Sequence, residues 1–389
     1  MKKMVCIIIV MTLSLMVGAG YVLANDDSDT SQIFVIKDTD GTDGGVNRLI
    51  QEMARHGSYF YDTDNREGLI ARDDVIILKI NGQWNQRGGT NTDLIKSVIQ
   101  AIVDHPDGFV GEVIVADNGQ QQYGGKGDGG SLDWEQNNAK DKNQSVQDVI
   151  DDFDGNYQVS GYLWDKITTT RVEEYDKGDK EDGYILKETP DKETELKVSY
   201  PKFKSEYGTY ISFKKGIWDE EAQKYDKDKL KVINMPVLKA HRGYGATGCV
   251  KNYMGTTSDK LTKGNAHNSV GTGGMGTQLV ETFMPTLNIL DAIWVNPGPD
   301  RGPRTPYNIA EQRNTIMAST DPVALDYWAV KNVLVPEDID FESYSYYFMN
   351  PDGDALLTFG YWLRLSMEEI RRAGYFSTVD TEKMEIYIK

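Results

Sequence analysis

Cysteine is nearly absent from this chain. Its 389 residues contain two, Cys6 and Cys249, and Cys6 lies in an N-terminal segment expected to be removed. One remaining thiol cannot form a disulfide within the chain. Nor can it build an iron–sulfur cluster or a structural zinc site, which need several thiolates. Positive charge is also scarce: 42 Lys and Arg stand against 60 Asp and Glu, a net charge of −18. Binding to nucleic acid or anionic lipid needs a basic face, so neither partner is expected. Histidine is limited to four residues, His56, His105, His241 and His267. Long apolar runs are confined to the N-terminus. Lys2 and Lys3 precede an apolar stretch over residues 5–17, and Val22-Leu23-Ala24 offers a small-residue cleavage site before Asn25. The stretch is short for a membrane span. Residues 1–24 are therefore expected to be a secretory signal peptide, with an uncleaved anchor as the alternative. After cleavage no stable membrane insertion is expected, and the chain would be secreted or periplasmic. Loss of Lys2 and Lys3 then leaves 40 basic residues against 60 acidic ones, a balance that suits solubility in an extracytoplasmic space.

What is present alternates strand and helix. Residues 33–36 form a short apolar strand. A helix over 44–56 carries Val46, Leu49, Ile50 and Met53 on one stripe. Residues 75–80, VIILKI, are almost wholly aliphatic, as a strand covered on both faces should be. Leu94, Ile95, Val98, Ile99 and Ile102 repeat at helical spacing, with Thr90 or Thr92 as the cap and Gly108 beyond the end. Residues 113–116 make the next strand. This order predicts an α/β fold: a mostly parallel sheet with helices on both faces. Residues 25–389 read as one α/β domain that carries a charged antiparallel insertion at about 119–228. Within the insertion, 124–130 is glycine-rich, 146–153 is a helix, and 171–175, 184–187 and 195–200 are short strands. The insertion is either a lid or a solvated face. Strands then resume at 229–235, 287–294 and 308–318. Asp321-Pro322 opens a helix reaching Leu334, with proline at its first position, and residues 362–373 form another.

In parallel sheets ligands sit outside the carboxyl ends of the strands. Several polar residues fall where strands should end. Lys79 and Asn81 close one strand, Asp117 and Asn118 the next, and Lys239 and His241 follow a third. Asp291 lies in the strand leading to Asn296-Pro297-Gly298. The run KVINMPVLKAHRGYGATGCVKNYMG, residues 231–255, delivers Lys239, His241, Arg242 and Lys251 into a segment broken by Gly243, Gly245 and Gly248. Clustered cations beside flexible backbone N–H groups suit an anion. His241 and His267 sit in Gly/Asn-rich segments, where neutral imidazole can act as acid, base or metal ligand. With Asp117 or Asp291 they could hold a divalent metal. Each residue also has a plain structural reading: Asn81-Gly82 and Asp117-Asn118-Gly119 are good turns, Asp321 is a good helix cap, Asp326 inside that helix can pair with a cation, and Cys249 can be a buried thiol rather than a nucleophile.

Two phosphate motifs fail. Residues 245–251, GATGCVK, lack the P-loop glycine spacing, and Asn252 follows the lysine where Ser or Thr is required. Residues 271–276, GTGGMG, follow no strand, so the dinucleotide fingerprint is not met.

Three blocks in order, Lys239-Ala240-His241, Lys251-Asn252-Tyr253-Met254-Gly255 and Asp321-Pro322-Val323-Ala324-Leu325-Asp326, are joined by Lys79-Ile80-Asn81, Thr92-Asp93, Asp117, residues 285–291 and the 298–302 turn. Together they resemble the family catalogued as domain of unknown function 362. The resemblance runs from about residue 74 to 330 and implies an α/β domain without an agreed activity. Some members of that family carry iron–sulfur modules, whereas this chain lacks their Cys-x-x-Cys runs. The segment 124–228 matches the family poorly.

The expectation is a cationic pocket at the sheet rim for a small or polymeric anionic ligand. In an enzyme acting on a phosphate- or carboxylate-bearing substrate, His241, His267 and Lys251 would be catalytic. Lys79, Asn81, Thr92, Lys239 and Asn252 would bind, and Asp117 and Asp291 would hold a metal. A non-catalytic extracytoplasmic binding protein and a surface or assembly protein are the alternatives.

Overall fold

Single-residue alternation of apolar side chains builds the central sheet. The structure, a computed structural model, describes residues 30–119, 130–299, 301–335, 339–343 and 346–389. The expected signal peptide, most of the glycine-rich run 124–130 and Asp300 of the 298–302 turn lie outside these residues. The first strands are β1 (Ser31–Ile36), β2 (Val75–Lys79), β3 (Glu112–Asp117) and β4 (Gln158–Leu163). After them come β5 (Gly183–Leu186), β6 (Ser199–Lys204), β7 (Tyr210–Ser212), β8 (Gly216–Asp219) and β9 (Lys224–Asp226). The last are β10 (Leu230–Asn234), β11 (Val237–His241), β12 (Gly245–Thr247), β13 (Leu287–Asn296), β14 (Glu311–Ser319) and β15 (Met384–Ile388). The main sheet runs β15-β1-β14-β13-β10-β2-β3-β4, and β11 joins it through β13 while pairing with β12. Only β14 and β12 pair antiparallel to their neighbours there; the other pairings are parallel. The α/β architecture expected from the strand–helix order is thus present.

Alternation decides which face each residue covers. In β2, Ile76 and Leu78 pack into one core, and Ile77 packs into the other. Each is fully buried, which stabilises by roughly 1.5–3 kcal/mol per side chain. One face is covered by α1 (Gly45–Arg55), α2 (Thr92–Val103) and α3 (Val146–Asp151), through Leu49, Val98 and Val149 among others. Short helices α4 (Cys249–Asn252), α5 (Asp259–Thr262) and α6 (Asn265–Asn268) follow β12. They are succeeded by α7 (Gly274–Glu281), α8 (Pro322–Ala329) and α9 (Phe359–Arg372) on the opposite face. The same face receives the five-stranded antiparallel sheet β5-β6-β7-β8-β9 through Tyr184, Phe203 and Phe213.

Several local expectations change. The α2 cap is neither Thr90 nor Thr92 but Asn91, whose side chain accepts from the Leu94 N–H. Residues 171–175 are not a strand: Arg171 makes one bridge to Tyr184, and Tyr175–Lys177 closes a 3₁₀ turn. The strand placed at 195–200 begins at Ser199, because Glu195 takes a left-handed φ of 59° that interrupts extended chain. Residues 237–241 are not loop. Pro236 ends β10, and the chain re-enters the sheet as β11 beside β13, with Lys239 opposite Asn296.

Candidate functional site

The carboxyl ends of β2, β3 and β11 converge with α4 on a hollow of about 170 Å³. A single water needs only about 10–15 Å³ by a comparable measure, so there is space for more than one or two waters. Lys79, Asn81, Asp117 and Lys239 line it from the strand ends. His241, Lys251, Asn252 and His267 line it from the β11–α6 segment. Asp117 is the sole acid among the described lining residues.

Lys79 and Asp117 come from adjacent parallel strands. Lys79 Nζ lies 2.5 Å from Asp117 Oδ1 and donates to the Ile80 carbonyl at 2.6 Å. Asp117 Oδ2 accepts from the Gly82 N–H at 2.7 Å. Burial pulls Lys79 below the ordinary lysine range, and the Asp117 carboxylate opposes that pull. Gly255 packs on this pair so tightly that a Cβ there would overlap Asp117 Oδ1 and Lys79 Nζ. Glycine is therefore required at 255 by close approach.

A directional chain of amides holds Lys239. Asn288 Nδ2 donates to the Ser319 carbonyl, and Asn234 Nδ2 donates to Asn288 Oδ1. Asn252 Nδ2 donates to Asn234 Oδ1 at 2.8 Å, and Asn81 Nδ2 to Asn252 Oδ1 at 3.4 Å. Lys239 Nζ completes the chain on Asn81 Oδ1 at 3.4 Å and donates to the Gly88 carbonyl at 2.5 Å. Each amide is both donor and acceptor, so each side chain's orientation is set by the next. Burial, and then the nearby Lys251 charge, pull Lys239 well below the ordinary lysine range.

Lys251 differs from the other two lysines. It is buried, yet among the described residues its Nζ has no hydrogen-bond acceptor. The Tyr244 ring lies 4.9 Å away. Burial lowers it to about 8, with Asp259 acting in the opposite sense. Thr247 also lines the hollow, and its buried Oγ1 has no hydrogen-bond partner among the described residues. An unpaired buried donor such as the Thr247 hydroxyl costs roughly 1–3 kcal/mol unless a ligand takes it up.

Both imidazoles are tied at Nδ1. His241 Nδ1 contacts the Arg242 carbonyl at 2.8 Å. A carbonyl only accepts, so Nδ1 carries the proton and Nε2 keeps its lone pair. Burial, then Lys251, hold His241 well below its ordinary range, so the ring is neutral. His267 Nδ1 donates to Asp259 Oδ2. No described residue hydrogen-bonds Nε2 of either ring. Tyr244 joins the two: it meets the His241 ring edge-on at 5.2 Å, and its hydroxyl donates to the His267 carbonyl at 2.9 Å.

Other expected site residues lie elsewhere. Thr92 is at the start of α2 and bonds Gln144, away from the hollow. Asp291 shares the face of Ile289 and Ile293. Its oxygens accept from the N–H groups of Asn91 and Ile293 and from Asn138 Nδ2, and burial raises it to about 6. It therefore clamps the α2 cap. Asp117 is committed to Lys79 and Gly82. Among the described residues no group of three or more His, Cys, Asp or Glu is placed to hold a metal ion, so the expected Asp117–Asp291 metal set does not assemble. Arg242 is exposed at the β11–β12 turn. Cys249 is fully buried in the core. Asp326 does not pair with a cation; it accepts from the N–H groups of Cys249 (2.5 Å) and Val250 (2.9 Å) at the start of α4. Asp321 caps α8 as expected. Residues not singled out in the sequence complete the site: Tyr244, Thr247 and Asp259.

No curated protein matches this chain. The family model described as Domain of unknown function (DUF362) matches residues 194–331, a segment that contains Lys239, His241, Lys251, Asn252 and His267 but not Lys79 or Asp117; the resemblance read from the sequence stands from 229 onward, and the match over 194–228 corrects the expectation that this part fits the family poorly.

Proposed function

We propose that this rim binds a small phosphate- or carboxylate-bearing anion and that the protein is an enzyme acting on it. One observation carries the reading. Lys79, Lys239 and Lys251 converge in one buried hollow that contains a single carboxylate. Burying like charges is unfavourable, and the Lys251 charge adds to the burial that pulls Lys239 down. An anion relieves that repulsion and satisfies the orphan Lys251 and Thr247 donors. The imidazoles add two Nε2 atoms that no described residue hydrogen-bonds. A chain of net charge −18 repels anions at long range, so recognition must come from these short-range contacts.

Calorimetric titration of inorganic phosphate, sulfate and small carboxylates tests this. Wild type should show saturable, salt-sensitive binding. Lys251→Ala, folded by circular dichroism, should bind about tenfold or more weakly, since a charge-assisted bond contributes roughly 1.5–3 kcal/mol. Equal binding by both proteins, or no binding by wild type, removes this pocket as the functional site. Mass spectrometry of bound ligands distinguishes turnover from simple capture, because a pure binder returns its ligand unchanged.

A further inference from the structure

Resting on the reading of the rim as an anion pocket, we infer that its substrate is a phosphate monoester or acyl phosphate and that His267 Nε2 accepts the phosphoryl group covalently.

Charge balance selects the substrate class. Lys79 is matched by Asp117. Lys239 donates only to the neutral oxygens of Gly88 and Asn81, and Lys251 has no acceptor among the described residues. Neither lysine is ion-paired with a carboxylate among the described residues, so an anion is what would favour their ammonium forms against burial. A carboxylate ligand brings one negative charge, whereas a phosphoryl group brings about −1.5 to −2 near neutral pH, with three acceptor oxygens. The buried Thr247 hydroxyl, without a partner among the described residues, supplies a third donor for them.

Orientation selects the nucleophile. Asp259 holds His267 Nδ1–H, so the lone pair is on Nε2, and His267 lines the hollow. This is the arrangement in which a carboxylate fixes the tautomer of an imidazole and stabilises the positive charge it acquires. His267 is the catalytic residue in this scheme, and Asp259 is a positioning residue. His241 is less suited, because its Nδ1 is held by a carbonyl and, among the described residues, no carboxylate pairs with the ring to compensate a developing positive charge.

The step balances as hydrolysis in two halves. The Nε2 lone pair attacks phosphorus, an N–P bond forms, and the P–O bond to the leaving group breaks. The leaving oxygen takes a proton from the Lys251 ammonium, whose value of about 8 suits proton exchange near neutrality. Water then attacks phosphorus and gives its proton to the Lys251 amine. The N–P bond breaks, its electron pair returns to Nε2, and inorganic phosphate leaves. Asp259 keeps the Nδ1 proton throughout.

The experiment uses the full chain with acetyl phosphate and with phosphoramidate. The reaction is quenched in base, and the phosphorylated residue is mapped by peptide mass spectrometry and phosphorus NMR. The expected result is a base-stable, acid-labile phosphate on His267 Nε2. It should be absent in His267→Gln. Asp259→Asn should label roughly tenfold or more slowly, and Asp259→Glu should recover part of the rate. A phosphate mapped to His241 or to a lysine overturns the assignment. No label on wild type, with inorganic phosphate still bound and weakened by Lys251→Ala, overturns the inference but leaves the anion pocket. No label and no phosphate binding removes both.

Discussion

Two buried polar clusters invite comparison: the sheet rim, and the interior of the five-stranded sheet around Glu174. In the second, Glu174 Oε1 accepts from the Tyr200 and Ser212 hydroxyls at 2.8 and 3.0 Å, and Oε2 from the Tyr225 hydroxyl at 2.7 Å. Lys202, fully buried, donates to the Asp179 carbonyl at 2.9 Å and lies 4.3 Å from the centre of the Tyr175 ring. Both charges are met from within the chain. At the rim, Lys251 Nζ, Thr247 Oγ1 and the two Nε2 atoms have no hydrogen-bond partner among the described residues. Burial of charge is common to both clusters, so burial alone does not mark function. The distinguishing feature is whether the buried charge is met by the protein, as Glu174 and Lys202 are, or left without a hydrogen-bond partner among the described residues, as Lys251 is.

The largest expected effect lies in the matched cluster. Glu174→Ala leaves three hydroxyls without their acceptor and Lys202 with less compensating charge. It should lower unfolding free energy by about 3–5 kcal/mol in urea titration. Anion binding at the rim should be unaffected in whatever fraction stays folded. A loss below 1 kcal/mol would show that the cluster is not held together by that carboxylate, and the comparison would fail on its structural side.

A smaller pair of changes sharpens the contrast by deleting one hydroxyl from each region. Tyr225→Phe removes a donor to Glu174 and the acceptor of the Tyr175 N–H, and should cost about 1–2 kcal/mol of stability. Thr247→Val removes a hydroxyl that has no hydrogen-bond partner among the described residues. It should leave stability unchanged or slightly raised and weaken phosphate binding about three- to tenfold. If Thr247→Val destabilises as much as Tyr225→Phe while binding is intact, the orphan hydroxyl has a structural partner and no ligand.

The rim was legible where apolar runs mark strand ends. Lys79 and Asp117 close β2 and β3, and adjacent parallel strands in register put their ends together. Lys239 was legible as a cation after β10, although the second strand β11 that carries it was not, because Pro236 reads as a stop and the five residues beyond it are too few to show a period. The Asp259–His267 pair was not visible. Its eight-residue separation fits no helical spacing, and it is made by a reversal at Lys263 and Gly264, both at positive φ, that folds α6 back on α5. Asp291 was misjudged because a strand residue's face depends on register: beside Ile289 and Ile293 it turns toward α2. At the start of α2, Thr90, Asn91 and Thr92 can all cap, and a one-residue shift decides among them.

The smallest effect expected is a pH dependence confined to the unmatched cluster. Lys251 sits at about 8 because burial disfavours its ammonium, with Asp259 opposing. A bound anion favours the charged form, so the bound value is higher than the free one. Anion affinity is then fully present below pH 8 and falls as pH rises through 8, by at most about tenfold per unit for the Lys251 proton, until the bound form also loses it. Lys239, also pulled down by burial, contributes in the same direction, whereas His241, held well below its ordinary range, is silent above pH 7. Sulfate is the appropriate probe, since its own charge is constant across this range. Calorimetry from pH 7 to 9.5 should show weakening binding with proton uptake, and Lys251→Arg, whose guanidinium stays charged, should reduce the slope. A flat wild-type profile would mean that the leftover capacity at the rim is not the Lys251 ammonium, and the distinction between the two clusters would then rest on Thr247 and the imidazoles alone.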